Sequence, residues 1–206
     1  MALVVLISGR GSNLQAIAAA GLPVAAVISN RADAPGLEFA RRQGIETTVV
    51  PHQDFPTREA FDEALARAVD RHAPSAIALA GFMRILTPDF VARYAGRLVN
   101  IHPSLLPAFP GLDTHERALA AGVKLHGCTV HFVTVDLDQG PIIAQAAVPV
   151  LAADTASELA ARVLRQEHII YPRSLAWLLG GKLVIEDGRV RANDVHATQF
   201  FFSPDA

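Results

Sequence analysis

Cysteine is almost absent from this sequence: Cys128 stands alone in 206 residues. A lone thiol excludes an internal disulfide and a cysteine-based zinc site, and it suits a reducing, cytoplasmic setting. Charge is sparse too, with 18% charged against 51% hydrophobic residues, so a large interior is expected. The formal net charge of −2 shows no basic excess and hence no footprint for nucleic acid. A small or phosphorylated substrate has to be held by local donors instead. Long apolar runs are missing as well. Met1–Ile7 is far too short to span a bilayer, and without a basic flank or cleavage site it does not read as a signal peptide. No membrane association is expected.

What is present is a regular alternation of strand and helix signals. Leu3–Ile7 is a continuous apolar run, as a strand buried on both faces requires. A helix over Asn13–Ala20, a strand over Val24–Ile28, a helix over Gly36–Gln43 and a strand over Thr47–Val50 follow. Thr57 can cap the next helix, with Phe61, Leu65 and Val69 on one face. Ala76–Ala80 and Leu98–Ile101 read as two more strands, and Asp113–Ala121 as a short helix. His126–Val133 and Ile142–Val150 then suggest an antiparallel pair joined by a turn, not another helical crossover. Thr155–Glu158 is a capping box opening the longest helix, which Pro172 should kink and Gly180-Gly181 should end. A hairpin around Asp187-Gly188 is expected, and Phe200–Phe202 read as a tail packing on the domain or on a second subunit. The fold class is α/β: a single domain, a mostly parallel twisted sheet with helices on both faces, Rossmann-like, with an antiparallel C-terminal part.

The stretch Asn100-Ile101-His102-Pro103-Ser104-Leu105-Leu106-Pro107 directly follows an apolar strand end. Residues two apart on extended backbone point to the same side, so Asn100 and His102 would face a cleft just past the strand. An amide donor beside an imidazole suits stabilisation of an oxyanion and movement of a proton. A capping Asn and a surface His in a proline-rich turn are the alternative. Ser8-Gly9-Arg10-Gly11-Ser12-Asn13 joins a strand to a helix start, where glycines let backbone N–H groups close on an anion. It lacks the Gly-Lys-Ser/Thr of a P-loop, and Leu14 replaces the third glycine of a dinucleotide fingerprint, so a small phosphate is favoured. A plain tight turn is the other reading.

Gly81–Leu86 is unusually apolar for a loop and could wall a pocket for a flat ring, or simply join the core. Asp136 and Asp138 flank a turn, where aspartates commonly bond their own backbone. Glu167 falls on the helical stripe of Leu159, Val163 and Ile170, so it points inward and needs a partner, either a ligand or an arginine. His52, His72, His126 and His196 lie in turns or at element ends and carry no ligand spacing, His168 reads as a structural histidine of the long helix, and no metal pattern joins His115 and His131 to a carboxylate; no metal is expected.

Together, Ser8–Asn13, Gly81–Leu86, Asn100–Pro107 with Phe109-Pro110-Gly111, and Leu137–Pro141 resemble the phosphoribosylglycinamide formyltransferase family of purine synthesis, from Met1 to about Leu179. Asn-Ile-His-Pro-Ser-Leu-Leu-Pro marks the wider folate-dependent formyltransferase and formyl-hydrolase group, and Gly-Arg-Gly-Ser-Asn narrows the resemblance to the ribonucleotide enzymes. The resemblance implies a formyltransferase domain over 1–206, with a ribonucleotide-phosphate half at about 1–100 and a folate and catalytic half at about 81–180. It implies Asn100, His102 and Asp138 as catalytic residues. It assigns Gly11, Ser12, Asn13 and Leu164, Arg165, Gln166 and Glu167 to the ribonucleotide. The folate side takes Arg58, Met83, Arg84, Ile85, Leu86, Asn100, Thr134, Val135, Asp136, Leu137 and Asp138.

The implied co-substrate is 10-formyltetrahydrofolate, and the implied acceptor is glycinamide ribonucleotide. The reaction is direct acyl transfer, with Asn100 and a charged His102 at the oxyanion and Asp138 supporting His102. Oligomeric state stays open between monomer and homodimer. A tRNA-formylating enzyme should carry an added domain and a basic face, and a formylfolate hydrolase an N-terminal regulatory domain. A non-catalytic nucleotide-binding domain would not need the catalytic trio together.

Overall fold

A computed structural model describes residues 1–193 and 199–203. His196 lies outside the described residues. The chain forms two compact units, Met1–Asn100 and Ile101–Ala206. The fold class is α/β with mostly parallel strands and an antiparallel C-terminal part.

In chain order the first unit comprises β1 (Leu3–Ile7), α1 (Ser12–Ala19), β2 (Val24–Ser29), α2 (Pro35–Arg42), β3 (Glu46–Val49), α3 (Arg58–Asp70), β4 (Ala76–Leu79), α4 (Pro88–Arg93) and the start of β5 (Leu98–His102). Every residue of β1 is buried, because parallel pairing with β2 on one side and β4 on the other puts it mid-sheet. The order is β3-β2-β1-β4-β5, all parallel, so the direction of winding reverses between β1 and β4. The carboxyl ends of strands at such a reversal leave a crevice. Thr57 caps α3 by accepting the Ala60 N–H at 3.2 Å, and Phe61, Leu65 and Val69 are buried, as their spacing predicts. α4 is not anticipated by periodicity. It is set by its ends: the Thr87 hydroxyl accepts the Phe90 N–H and Pro88 takes the first turn.

The second unit holds α5 (Thr114–Ala120), β6 (Leu125–Phe132), β7 (Ile142–Pro149), α6 (Ala156–Leu179), β8 (Leu183–Glu186), β9 (Arg189–Ala192) and β10 (Phe200–Phe202). β6 and β7 are antiparallel, with a register shift between Val130 and His131. α6 opens on the Thr155–Glu158 capping box, and the helix runs on through Pro172 to Leu179. β8 and β9 form the expected hairpin. The aromatic tail has a more definite place than sequence gave it: β10 pairs parallel with β7, and the Arg173 guanidinium lies 4.9 Å from the Phe201 ring. No helix among the described residues is long and apolar enough to cross a membrane.

Candidate functional site

In the first unit a cavity of about 510 Å³ opens where β1, β2, β3 and β4 end. Ser8–Asn13 line it together with Asn30, Arg31, His52, Ala80, Gly81, Met83 and Arg84. The switch between β1 and β4 explains the position, since the loops that follow parallel strands emerge on the same edge. Gly11 sits at φ 73° just ahead of α1, and a Cβ there would come within 3.0 Å of the Gly36 backbone. The glycine is therefore demanded by backbone conformation and packing, in addition to any anion it admits. Gly9 has open space where a Cβ would go.

Met83 and Ile85 are 70% and 61% exposed, so the apolar loop after β4 does present side chains to solvent. Arg84 and Leu86 are half-buried, and Arg58 is exposed at the start of α3. Asp62 is buried on α3, and its Oδ2 accepts the Thr87 N–H at 2.5 Å. Burial holds this carboxyl above its ordinary range, against the bond from Thr87. Asn100 is half-buried on β5 opposite Leu79, near the strand's carboxyl end. His102 follows two residues later on the same strand, so the two side chains leave on one face.

In the second unit the His102 and Asp138 side chains are 7% and 6% exposed, with Nδ1 3.4 Å from Oδ2. His102 Nε2 donates to the Phe109 carbonyl at 3.0 Å; a carbonyl only accepts, so this nitrogen carries hydrogen. Asp138 is held from a second direction, because the Gly111 N–H donates to Oδ2 at 2.8 Å. His131 Nε2 lies 3.8 Å from Oδ1. Burial lowers the His131 pKa, while the Phe132 carbonyl and Asp138 oppose that shift. Asp138 takes φ 56° and Phe109 φ 54°, and left-handed backbone at a phenylalanine is a genuine outlier. The turn aspartate does not merely bond its own turn, the common role for such residues. Its carboxylate faces two histidines and the loop at Gly111.

Nearby, His126 Nε2 and His115 Nδ1 are 3.2 Å apart and share one hydrogen. Burial, reinforced by His115, lowers His126 to about 4; burial also lowers His115. Of the other sequence candidates in this unit, Val135 and Leu137 are 63% and 55% exposed, and Thr134 donates to the Asp136 carbonyl at 3.1 Å. Leu164 is half-buried and Arg165 exposed, while Gln166 and Glu167 are buried. Glu167 lies close enough to Cys128 and Tyr171 for its charge to push both pKa values up, beyond the effect of burial. No group of three or more His, Cys, Asp or Glu among the described residues is arranged to hold a metal.

Sequence reasoning missed Asn30, Arg31 and His52, although each lies just past a strand, where parallel sheets place ligand groups. It also missed Phe109 and Gly111 as partners, because both act through backbone atoms that residue identity does not disclose.

The formyl transferase family matches residues 1–175. The phosphoribosylglycinamide formyltransferase of Escherichia coli (strain K12) is 53% identical over 91% of this chain and 91% of its own length. The trifunctional purine biosynthetic protein adenosine-3 of Drosophila melanogaster is 48% identical over 88% of this chain, which spans only 14% of that longer protein. A solved phosphoribosylglycinamide formyltransferase from Coxiella burnetii superposes with a TM-score of 0.91 at 48% identity, covering 99% of each chain. The chain belongs to the formyl transferase family, among the phosphoribosylglycinamide formyltransferases, and is a transferase.

Proposed function

We propose that this chain transfers the formyl group of 10-formyltetrahydrofolate to the amine of 5'-phosphoribosylglycinamide, a step of de novo purine synthesis. The observation that carries the reading is the buried pair of Asp138, in the turn between β6 and β7, with His102, which ends the strand that also bears Asn100. The amine nitrogen attacks the formyl carbon, a C–N bond forms, the bond to the folate nitrogen breaks, and the amine proton ends on that nitrogen through water. Asn100 donates a side-chain N–H to the developing oxyanion, and His102 donates a second hydrogen, the one that Phe109 now accepts. Asp138 orients the ring. A distance of 3.4 Å is long for such a pair, and contacts of this kind tighten when substrate binds.

No covalent enzyme intermediate is needed. Ser104 Oγ already donates to the Ala108 carbonyl, and burial pushes the Cys128 thiol well up, so neither is a ready nucleophile. Gly11, Ser12 and Asn13 take the phosphate in the first-unit cavity, with Leu164–Glu167 as further ribonucleotide contacts. The exposed apolar groups of Met83, Ile85, Val135 and Leu137 suit the folate ring, with Arg58 for its carboxylates. The chain then works as one formyltransferase domain, with the phosphate half at about 1–100 and the folate half at about 81–180. A cytoplasmic setting would keep Cys128 reduced. Turnover of formylfolate with glycinamide ribonucleotide, followed spectroscopically, tests the reading. Release of formate without formyl transfer would overturn it in favour of a hydrolase.

A further inference from the structure

The loop after β4 presents Met83 and Ile85 to solvent, so side-chain packing at these two positions contributes little to holding it. Phe82 anchors it in the core on one side, and the backbone around it is held at its start by Ser8. The Ser8 N–H donates to the Gly81 carbonyl at 3.1 Å, and the Ser8 hydroxyl accepts the Met83 N–H at 2.8 Å. The same hydroxyl donates its one hydrogen to Asn30 Oδ1 at 2.6 Å. An amide oxygen only accepts, so the serine's lone pairs are left for Met83. Asn30 is itself fixed: it is 3% exposed, and its Nδ2 lies 3.1 Å from His52 Nδ1. Ser8 is also the first residue of the glycine-rich loop that lines the cavity.

We propose that Ser8 is a positioning residue that fixes the folate-side loop Met83–Leu86 against the phosphate-side loop, and that Asn30 sets the rotamer in which it does so. The role rests on the functional reading above, but the clamp itself does not. A neutral hydroxyl suits the task because it accepts from one loop and donates to another strand end without adding charge beside an anion site. Removing it leaves the Met83 N–H without its partner and frees the exposed loop to sample other conformations.

The test compares the parent with Ser8→Ala, Asn30→Ala and the double variant in two measurements. Amide hydrogen exchange at Met83, read by NMR without ligand, should quicken in both single variants. Calorimetry with 10-formyltetrahydrofolate alone should show roughly 5–30-fold weaker binding in Ser8→Ala, the scale of one buried hydrogen bond. Glycinamide ribonucleotide binding should change less. The double variant should be no worse than Ser8→Ala, because the two residues act in series, whereas independent structural losses would add. If Ser8→Ala does not fold, Asn30→Ala carries the test in both measurements. Unchanged exchange at Met83 and unchanged formylfolate affinity overturn the proposal, as do equal losses for both ligands. A parent protein that binds no formylfolate overturns the functional reading and this role with it, while the exchange data still report on the clamp.

Discussion

Acid should destabilise this protein through one histidine in particular. His126 is 1% exposed, beside His115, and its pKa falls from the ordinary 6.5 to about 4. Between these values the unfolded chain takes up a proton that the folded chain refuses. Stability is therefore greatest above about 6.5 and is lost as the pH falls towards 4. At about 1.36 kcal/mol per pH unit, the ceiling is roughly 3 kcal/mol. Relaxation and water penetration around a buried charge bring the expected loss to about 1–2 kcal/mol. For a chain of this length that is a shift in Tm of roughly 2–8 °C. The assay is thermal unfolding between pH 7 and 4.5 for the parent and for His126→Gln, which cannot take the proton. Carboxylate contributions are common to both proteins and cancel, so the parent should lose more Tm than the variant. Equal losses, or a His126 ring that titrates near its ordinary value by NMR, would refute the reasoning.

Four further substitutions separate chemistry, binding and folding. Asn100→Ala removes one donor to the oxyanion, so kcat should fall roughly 10²–10³-fold while both substrates still bind, checked by steady-state kinetics beside calorimetry. Gly9→Val adds bulk where space is open and should weaken ribonucleotide binding at near-parent Tm, whereas Gly11→Ala, forced to φ 73° against Gly36, should lower Tm. Asp62 binds its proton more tightly when folded, so stability should fall as pH rises above about 3.8 through the raised value. Asp62→Asn should flatten that part of a urea-unfolding series.

The parts of the fold that were legible from sequence are those with a local cause. Leu3–Ile7 reads as a central strand because an unbroken apolar run needs cover on both faces, and Thr155–Glu158 reads as a helix start because both halves of its cap lie within four residues. α4 escapes the same reasoning because six residues make too few turns for a periodicity to show. β10 escapes because three phenylalanines gain a strand partner only once β7 is present to pair with them.

The same division runs through the candidate site. The alignment of Asn100 and His102 needs only extended backbone from one to the other, and β5 supplies it by continuing to His102. Asp138 depends on distant features instead: a left-handed turn, the Gly111 N–H 27 residues away, and a register shift beside His131 on β6. None of these has a signature in the residues around Asp138, so the ordinary self-bonded turn is the natural reading of the sequence there. Ser8 is the extreme case, because its partner Met83 lies 75 residues away and contributes only a backbone N–H. Any side chain at position 83 other than proline could supply that donor, so the contact leaves no mark on residue choice at its other end. It becomes visible only when the sheet brings the ends of β1 and β4 side by side.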